Sequence, residues 1–299
     1  MATKLVSIII PTYNREKEVL ECIGSLSNIT YPNFKIIVVD NGSKDNTILS
    51  IKKKFPNVEI IELSKNFGAS GARNEGIKYA KGEYFCFVDS DNIVDRNFLT
   101  ELVSLAESDN LIGFVGPKMY YLKDPKRILY AGADINLITS KTKYIGQNEI
   151  DKGQYDSIRE VGHIPNVWLV KKAAINKIGL IDASYHTYYE ESDWAMRAKK
   201  AGYKIMFCPT SIVYHNIPLP AEVRSLRSLI GLDNQYRVFY TARNRTIYMK
   251  KYTNKPRFIV FLVFFNNVFL IEYCLIFLFY RRFDLIKSYI KGFLSGIKI

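Results

Sequence analysis

The chain has 299 residues, of which 48% are hydrophobic and 24% are charged, with 42 lysines and arginines against 29 acids. This length and hydrophobic content exclude a disordered tail or a miniprotein, and they allow one large domain or two modest ones. The formal net charge of +13 is strongly basic.

The basic excess is concentrated at one end of the chain. Residues 1–215 contain 28 basic and 25 acidic side chains, whereas residues 216–299 contain 14 basic and 4 acidic ones. The same C-terminal stretch is also the most apolar part of the sequence. Basic charge beside apolar residues favours an anionic membrane surface first and nucleic acid only second.

The N-terminal third alternates between strand-like and helix-like patterns. Residues 6–10 and 34–39 are β-branched runs that end in polar loops, as buried parallel strands do. Residues 16–26, between them, carry apolar side chains at helical spacing, which predicts a β-α-β unit. The alternation continues with helices at 46–55 and 71–80 and strands at 58–63 and 84–88.

The second half of the chain is less regular. We predict a polar, irregular insertion at 120–163 that faces an acceptor. The periodic segments around it are a strand at 113–119, a strand running into a helix at 168–178, a helix at 192–201 and a last strand at 204–214. These elements predict an open α/β sheet with its polar loops at the carboxyl ends of the strands, where ligands bind in such sheets.

Several common signatures are missing from the sequence. The first strand is followed by PTYNRE, without the glycines of a dinucleotide or P-loop fingerprint. The cysteines, at 22, 86, 208 and 274, are widely spaced, which argues against a zinc site or a disulfide framework. The short apolar run at the N-terminus does not have the form of a signal peptide, so we expect a cytoplasmic catalytic portion.

Carboxylates follow two of the predicted strands. Asp40 ends the second strand, and Asp89, Ser90 and Asp91 end the strand at 84–88. Two carboxylates that flank one residue can reach a hard cation such as Mg²⁺ or Mn²⁺, which keeps open positions for diphosphate oxygens. The alternative for an isolated Asp-x-Asp is a solvated turn.

Five segments occur in order along the chain: VSIIIPTYN (6–14), VVDNGSKD (38–45), NFGASGARNEG (66–76), FVDSD (87–91) and YYEESDWAMRAKKAGY (188–203). Together they resemble family 2 glycosyltransferases of the GT-A fold, over about residues 5–245. The resemblance implies a GT-A type open, twisted, mostly parallel sheet flanked by helices. It also implies inverting transfer of a sugar from a nucleoside diphosphate sugar, with Mn²⁺ or Mg²⁺ as cofactor.

Three further segments, GPKMYY (116–121), YAGADIN (130–136) and DKGQYD (151–156), resemble more narrowly a rhamnosyltransferase-like branch of the family. That branch implies a lipid-linked or cell-surface glycan as acceptor. The sequence names neither the sugar nor the nucleotide.

The resemblance implies a donor site at the ends of the first strands. Pro11, Thr12 and Tyr13 would line the nucleoside pocket. Asp40 would bind the base or ribose, and Asp89 would hold the nucleoside end of the donor. A ribose diol suits a carboxylate acceptor, so the chemistry agrees with the resemblance.

The resemblance also implies residues around the diphosphate. Asp91 would bind the metal, and His215, which follows the last strand, could complete a shell of oxygen and nitrogen ligands. Ser90 belongs to the same donor loop, and Arg73 and Arg243 would face phosphate or sugar. The alternatives are a structural histidine and a surface arginine at position 73.

An acidic run, Glu190-Glu191-Ser192-Asp193, stands where the family usually has Glu-Asp-x-Asp with the catalytic base second. Glu191 therefore takes the base position, although it is one methylene longer than the usual aspartate. Asp193 is the rival, and its spacing to Arg197 allows an i,i+4 ion pair. Glu190 and Trp168 are candidates for binding the acceptor. A core role is equally open for Trp168, and the helix dipole also explains acids at a helix start.

Residues 258–280 are apolar except for two asparagines and one glutamate, and basic residues flank them on both sides. The segment is long enough to span a bilayer. Because the charges name no preferred side, we favour a helix lying in the interface or re-entering it over a true span or a dimerisation helix. Residues 284–299 add a short basic amphipathic element.

The predicted division is a catalytic domain at 1–215 and a helical, basic and apolar membrane-associating region at 216–299. We expect an enzyme on the cytoplasmic face of the membrane, possible homodimers through the C-terminal region, and no nucleic-acid partner, because the basic residues flank an apolar run. The departure at Glu191 leaves one alternative open, an inactive protein that only binds nucleotide sugars.

Overall fold

The computed structural model describes residues 3–220 and 234–298. Within these residues a ten-stranded sheet runs in the order β10-β12-β6-β11-β4-β1-β2-β3, with β5 beside β12 and β7 beside β6. The strands are β1 Val6–Thr12, β2 Phe34–Asp40, β3 Glu59–Glu62, β4 Tyr84–Phe87, β5 Asn92–Val94, β6 Ile112–Tyr121, β7 Asp124–Tyr130, β10 Arg159–Glu160, β11 Trp168–Lys171 and β12 Lys204–His215. A separate hairpin pairs β8 Ala133–Ile135 with β9 Thr142–Tyr144.

Helices pack on both faces of the large sheet and continue beyond it at the C-terminus. They are α1 Glu16–Leu26, α2 Thr47–Lys54, α3 Gly68–Tyr79, α4 Phe98–Ser108, α5 Lys172–Ile178, α6 Glu190–Lys200, α7 Gln235–Tyr252, α8 Lys255–Phe279 and α9 Phe283–Lys298. A π-helical turn at Phe261–Phe265 interrupts α8.

Strand direction brings several polar chain segments to one edge of the sheet. Strands β3, β2, β1 and β4 are parallel, and β11 is antiparallel to both β4 and β6. Because β12 is parallel to β6, the carboxyl end of β12 lies at the same edge as those of β1, β2 and β4. The start of β11 also lies there, since this strand runs the other way.

Two hydrophobic cores lie on opposite faces of the sheet. One face is covered by α1, α2 and α4, with fully buried residues such as Val19, Ile51 and Leu102. The other is covered by α3, α5 and α6, where Trp168 and Trp194 pack with Phe87 and Phe114. Successive side chains along β1 and β4 point alternately into the two cores, so both faces of these strands are buried, as in a parallel sheet covered by helices on both sides.

The predicted open α/β sheet is confirmed, with three differences. The 120–163 insertion, expected to be irregular, forms strands β7 to β10, because β6 continues into an antiparallel partner at β7. Strand β5 and helix α4 were not predicted. Helix α3 begins at Gly68, three residues before its predicted start, because the side chain of Asn41 bonds the backbone at the first turn.

The C-terminal helices form their own packed group. Arg245 on α7 is buried, lies 3.8 Å from the ring centroid of Phe269 on α8, and donates to the Tyr289 hydroxyl on α9 at 2.8 Å. Gly292 and Gly296 let α9 approach closely, since a Cβ at either would meet backbone oxygens of α7 at 2.3 and 2.7 Å. The expected boundary at residue 215 stays a prediction.

Candidate active site

The ends of β1 and β2 carry polar atoms that lack partners. Thr12 and Asp40 are paired in the parallel register and are both buried. Asp40 Oδ2 accepts from the backbone N–H of Ser43 at 3.0 Å. Thr12 Oγ1 and Asp40 Oδ1 find no hydrogen-bond partner within 3–220 and 234–298. Buried polar groups without partners are rare, so this pair is suited to receive a polar ligand.

The residues beside this pair differ in exposure. Pro11 is half-buried, and Tyr13 leaves 42% of its surface exposed. An exposed ring next to unpaired polar atoms offers both a stacking face and acceptors, as a nucleoside needs.

Asp91 and His215 meet at the same edge. Asp91 Oδ1 lies 3.1 Å from His215 Nε2, and Asp91 Oδ2 lies 3.7 Å from the guanidinium of Arg15. Burial acts to raise the pKa of Asp91, but the hydrogen bond from His215, with the charge of Arg15, lowers it below its ordinary value. The loop therefore presents an ionised carboxylate and an imidazole nitrogen side by side, with Ser90 buried just before them.

These two side chains fit a hard divalent cation. No group of three His, Cys, Asp or Glu side chains suited to a metal occurs in the described part of the chain. Two protein ligands with further positions left for substrate oxygens match how Mg²⁺ and Mn²⁺ are held with phosphates. Asp91 and His215 are thus the residues that would hold the ion.

Arg73 on α3 is the centre of an acidic cluster. Its Nη2 donates to Asp89 Oδ1 at 2.8 Å and lies 3.3 Å from Glu191 Oε1, and its Nη1 lies 3.3 Å from Glu190 Oε1. The Arg73 side chain is only 3% exposed. One buried cation thus faces three carboxyl groups, one from the loop after β4 and two from α6, which favours binding of a further cation nearby.

Burial is the main influence on the two glutamates. It raises the pKa of Glu191, with further increases from Glu190 and Asp89, while Arg73 and the N–H of Asn166 act the other way. Burial raises the pKa of Glu190 as well, against the effect of Arg73. Burial works to lower the pKa of Arg73, but the three carboxylates raise it, so the guanidinium stays charged. A carboxyl group with a raised pKa in such a cleft is suited to act as a general base.

Asn166 connects the candidate base to the candidate metal site. It precedes β11 with a φ of 64°, its N–H donates to Glu191 Oε1 at 3.2 Å, and its side-chain nitrogen lies 3.1 Å from His215 Nδ1. Our sequence analysis gave it no role. The only available signal was its type, since asparagine tolerates a left-handed backbone better than most residues.

Asp193, the rival base, is enclosed. It has no exposed surface, and its Oδ1 accepts from Tyr252 at 2.7 Å and from Lys251 at 2.6 Å. Its Oδ2 accepts from Arg197 at 2.9 Å, which is the i,i+4 pair that the spacing allowed. Both oxygens are occupied by structural partners, which argues against Asp193 as a base and favours Glu191 as the candidate.

Trp168 cannot offer a stacking face to an acceptor. It is 2% exposed, its ring stacks on Phe87 at 4.7 Å, and the guanidinium of Arg73 lies 5.3 Å from its centroid. The acceptor-stacking prediction for Trp168 is therefore wrong, because the side chain faces the core covered by α6. Glu190, the other acceptor candidate, is also buried and bonds to Arg73, so it supports the cluster.

One exposed aromatic residue lies within electrostatic range of Glu191. Tyr144, from the β8–β9 hairpin, is 39% exposed and packs 5.6 Å from the ring of Tyr130. Burial of its hydroxyl, then the charge of Glu191, raises the pKa of Tyr144. It was not predicted because a lone tyrosine in a polar insertion carries no periodic signal.

Arg243 on α7 is engaged with the protein itself. Its Nη1 donates to the carbonyl of Ser184 at 2.9 Å and to Asn244 Oδ1 at 2.8 Å. Its expected role at phosphate stays a prediction.

The open sheet and its flanking helices define a fold of the GT-A type. Residues 7–179 match the sequence profile of glycosyl transferase family 2, and the chain belongs to that family. The family predicted from the five segments is thereby confirmed, and the rhamnosyltransferase-like branch stays a prediction.

Two curated relatives and one solved structure illustrate the likeness. A poly(ribitol-phosphate) beta-glucosyltransferase of Bacillus spizizenii is 47% identical over 31% of this chain and 16% of its own length. The Escherichia coli UDP-Glc:alpha-D-GlcNAc-diphosphoundecaprenol beta-1,3-glucosyltransferase WfgD is 38% identical over 36% of this chain and 43% of its own. The match thus spans less than half of each relative.

The mannosyltransferase PcManGT from Pyrobaculum calidifontis, in complex with GDP-Man and Mn²⁺, has a similar structure. The TM-score is 0.58 with 15% sequence identity, over 98% of this chain and 86% of that one. At this identity the similarity establishes the fold.

Proposed function

We propose that the protein is an inverting, metal-dependent glycosyltransferase that moves a hexosyl group from a nucleoside diphosphate sugar to a lipid-linked or cell-surface glycan. One observation carries the proposal. The Glu191 carboxylate, whose pKa burial raises, lies in the Arg73 cluster and is bridged by Asn166 to His215 of the Asp91–His215 pair.

The donor would lie along the sheet edge. Its nucleoside end would meet the unpaired oxygens of Thr12 and Asp40, with Pro11 and Tyr13 beside them, and Arg73 would hold Asp89 in place. WfgD is named for the donor UDP-Glc, and the PcManGT structure contains GDP-Man. A nucleoside diphosphate donor is therefore the common chemistry, and the base and sugar remain to be found by experiment.

Glu191 would act on the acceptor. Its carboxylate takes the proton from an acceptor hydroxyl while that oxygen forms a bond to the anomeric carbon. The bond from the anomeric carbon to the diphosphate breaks, and its electron pair leaves with the nucleoside diphosphate. A divalent ion bound by Asp91 and His215 would supply positive charge for the diphosphate. Arg73 keeps Glu191 oriented through the 3.3 Å contact.

The acceptor would approach over the β8–β9 hairpin. Tyr144 is an exposed ring whose pKa the charge of Glu191 raises, and aromatic rings suit the apolar faces of sugars. This role replaces the one predicted for Trp168.

The C-terminal helices support attachment to the cytoplasmic face of a membrane. Helix α8 is the one described helix long and apolar enough to cross a bilayer, with a mean hydropathy of 2.2 over its most apolar window. One side of it packs on α7 through Phe261, Asn266 and Phe269, which are buried. A helix held along a protein surface in this way favours lying in the membrane interface over spanning it.

The opposite side of α8 and part of α9 form an exposed apolar face. Its members include Val263 at 69%, Phe264 at 60%, Ile271 at 60%, Leu275 at 60% and Phe279 at 82% exposure. Basic residues at both ends of α8 complement anionic headgroups, so we assign this face to an anionic bilayer. A homodimer through the same face is the alternative outcome.

Transfer is tested with purified protein, Mn²⁺, membrane lipid extract and a panel of UDP-, GDP- and dTDP-sugars. We expect one donor to raise the melting temperature and to release nucleoside diphosphate in an acceptor-dependent reaction. Glu191→Gln should bind that donor normally and lose transfer by at least about 100-fold. Full transfer by this variant would contradict the base assignment, and donor binding without transfer by the wild type would favour the inactive binding protein.

Membrane attachment is tested by vesicle flotation. The protein should float with anionic phosphatidylglycerol vesicles more than with phosphatidylcholine vesicles. The combined change Val263→Ser, Phe264→Ser, Ile271→Ser and Leu275→Ser should abolish flotation and leave donor binding intact. Equal flotation of this variant, or a concentration-dependent dimer in the wild type that the variant loses, would contradict the assignment to a bilayer.

A further inference from the structure

The turn that leads into α6 has an unusual backbone. None of the four residues before Glu190 is glycine, yet three of them have positive φ: His186 at 58°, Tyr188 at 61° and Tyr189 at 69°. Such conformations cost free energy for residues with a Cβ and persist only when surrounding contacts hold them. This turn ends one residue before the candidate acidic pair, so its shape sets where Glu190 and Glu191 point.

The first part of the turn is a γ-turn. The N–H of Thr187 donates to the carbonyl of Tyr185 at 2.6 Å across His186, whose φ and ψ are 58° and −54°. This form of the γ-turn is rare and strained. On one side the turn packs closely against Gly68 at the start of α3, because a Cβ at this position would lie only 2.7 Å from the His186 carbonyl oxygen.

Asn244 on α7 holds the turn from the other side. Its side-chain nitrogen lies 2.8 Å from the carbonyl oxygens of Tyr185 and Thr187 and 3.1 Å from that of Tyr188, so its two N–H groups are shared among three acceptors. The residue has no exposed surface. A single side-chain amide therefore contacts three carbonyls of a turn whose backbone is strained by positive φ angles.

The same face of α7 continues along the start of α6. Four and eight residues after Asn244, the ring of Tyr248 lies 5.3 Å from that of Tyr189, and the hydroxyl of Tyr252 donates to Asp193 at 2.7 Å. Lys251 lies 3.5 Å from Asp182 and 2.6 Å from Asp193, so it bridges the two sides of the turn. These positions share one side of a helix with 3.6 residues per turn.

We propose that Asn244 is a positioning residue for the transfer reaction, holding the turn at 185–189 in the shape that aims Glu191 into the site. Helix α7 is thus part of the catalytic apparatus as well as the link to α8 and α9. The inference rests on the proposed function. It assigns Asn244 an effect on the proposed base and none on Thr12, Asp40 and Asp89, the proposed donor residues at the ends of β1 and β2 and after β4. Arg243, whose role at phosphate stays a prediction, bonds Asn244 Oδ1 and also the Ser184 carbonyl, so donor affinity is measured in every variant.

The test separates turnover from donor binding. Asn244→Ala should lower kcat on the order of 10- to 100-fold, because a small displacement of a reacting group has effects of this size. The donor dissociation constant should change by less than about threefold. The value of kcat is calculated per donor-binding site, with the number of sites measured by calorimetry, so that unfolded protein does not lower it. Tyr252→Phe, which removes one hydroxyl from the same face, should lower kcat less and serves if Asn244→Ala does not fold.

Asn266→Ala is the matched control. Asn266 is a buried amide on α8 that bonds Thr246 of α7 at 3.3 Å, away from the turn. We expect it to lower the melting temperature and leave kcat per site unchanged. Unchanged kcat in Asn244→Ala and Tyr252→Phe, or an equal loss of kcat in Asn266→Ala, would overturn the inference.

Glu191→Gln is assayed alongside to separate this inference from the proposed function. If Glu191→Gln transfers fully, or the wild type shows no transfer, the proposed function fails and this inference fails with it. If Glu191→Gln is inactive and Asn244→Ala is fully active, only this inference fails.

Discussion

The guanidinium of Arg73 lies 3.3 Å from the carboxylate of Glu191, and the same nitrogen bonds Asp89 at 2.8 Å. Through this contact α3 joins the loop after β4, the proposed donor loop, to Glu191, the proposed base at the start of α6. Arg73 limits the rise in the Glu191 pKa that burial and the neighbouring acids cause. Arg73 thus offsets part of the rise in the pKa of Glu191, the proposed base, and holds its carboxylate in place.

The pH dependence of turnover should report Glu191. Because its pKa is raised above the ordinary 4.5, the acidic limb of kcat/KM should lie well above that pH, with activity rising as the carboxyl loses its proton. Glu190→Gln removes a neighbouring negative charge, so it should move the limb to lower pH by about one unit. Asp109→Asn, at the opposite edge of the sheet, should not move it. A limb that stays in place in Glu190→Gln would contradict the assignment.

The raised pKa of Glu191 should also make the free energy of unfolding depend on pH, with a predictable direction. Between pH 4.5 and the raised value, the folded state binds more protons than the unfolded state, so the wild type loses stability as pH rises through this window. The loss is about 1.4 kcal/mol for each unit of the shift, complete above the folded pKa and absent below 4.5. Glu191→Gln should therefore melt at a higher temperature than the wild type at about pH 8 and at the same temperature at about pH 4. Equal melting temperatures at both values would count against a raised pKa.

Metal dependence should follow Asp91 and His215. Chelation with EDTA should stop transfer, and added Mn²⁺ or Mg²⁺ should restore it. Asp91→Asn and His215→Ala should each raise the Mn²⁺ concentration for half-maximal activity by about tenfold or more, since each removes one ligand of a site with two protein ligands. Asp109→Asn is again the control, a carboxylate paired with Lys204 away from the site. Wild-type metal requirements in both variants would refute the assigned ligands.

Tyr144 should affect the acceptor and not the donor. Tyr144→Ala should raise the acceptor KM about five- to tenfold, as expected for a lost aromatic contact of roughly 1 kcal/mol, with donor binding unchanged. Tyr79→Ala is the control, because Tyr79 is 60% exposed at the far end of α3. An unchanged acceptor KM in steady-state kinetics would remove Tyr144 from the acceptor site.

Much of the fold could be predicted because its signals are local. The β-branched runs of β1 and β2 end at Thr12 and Asp40, and the apolar run of β4 leads into the loop that holds Asp89. The parallel arrangement follows from the helices between the strands. Helix α4 and the strands of the insertion were missed. The insertion strands are formed by pairing with β6 and with each other, which depends on distant partners.

The sequence by itself determined the family, the order of the sheet-edge carboxylates and the basic, apolar character of the C-terminus, because each depends on neighbouring residues. Only the tertiary structure shows that structural partners enclose Asp193 while Glu191 lies in the Arg73 cluster, which favours Glu191 as the proposed base. Two residues apart on α6, they point about 200° from each other, and the packing of α7 encloses Asp193 while Glu191 faces Arg73. Likewise, only the packing of α6 against β11 decided that Trp168 lies in the core. Only the packing of α7 on the turn brought Asn244 to the backbone that precedes Glu191.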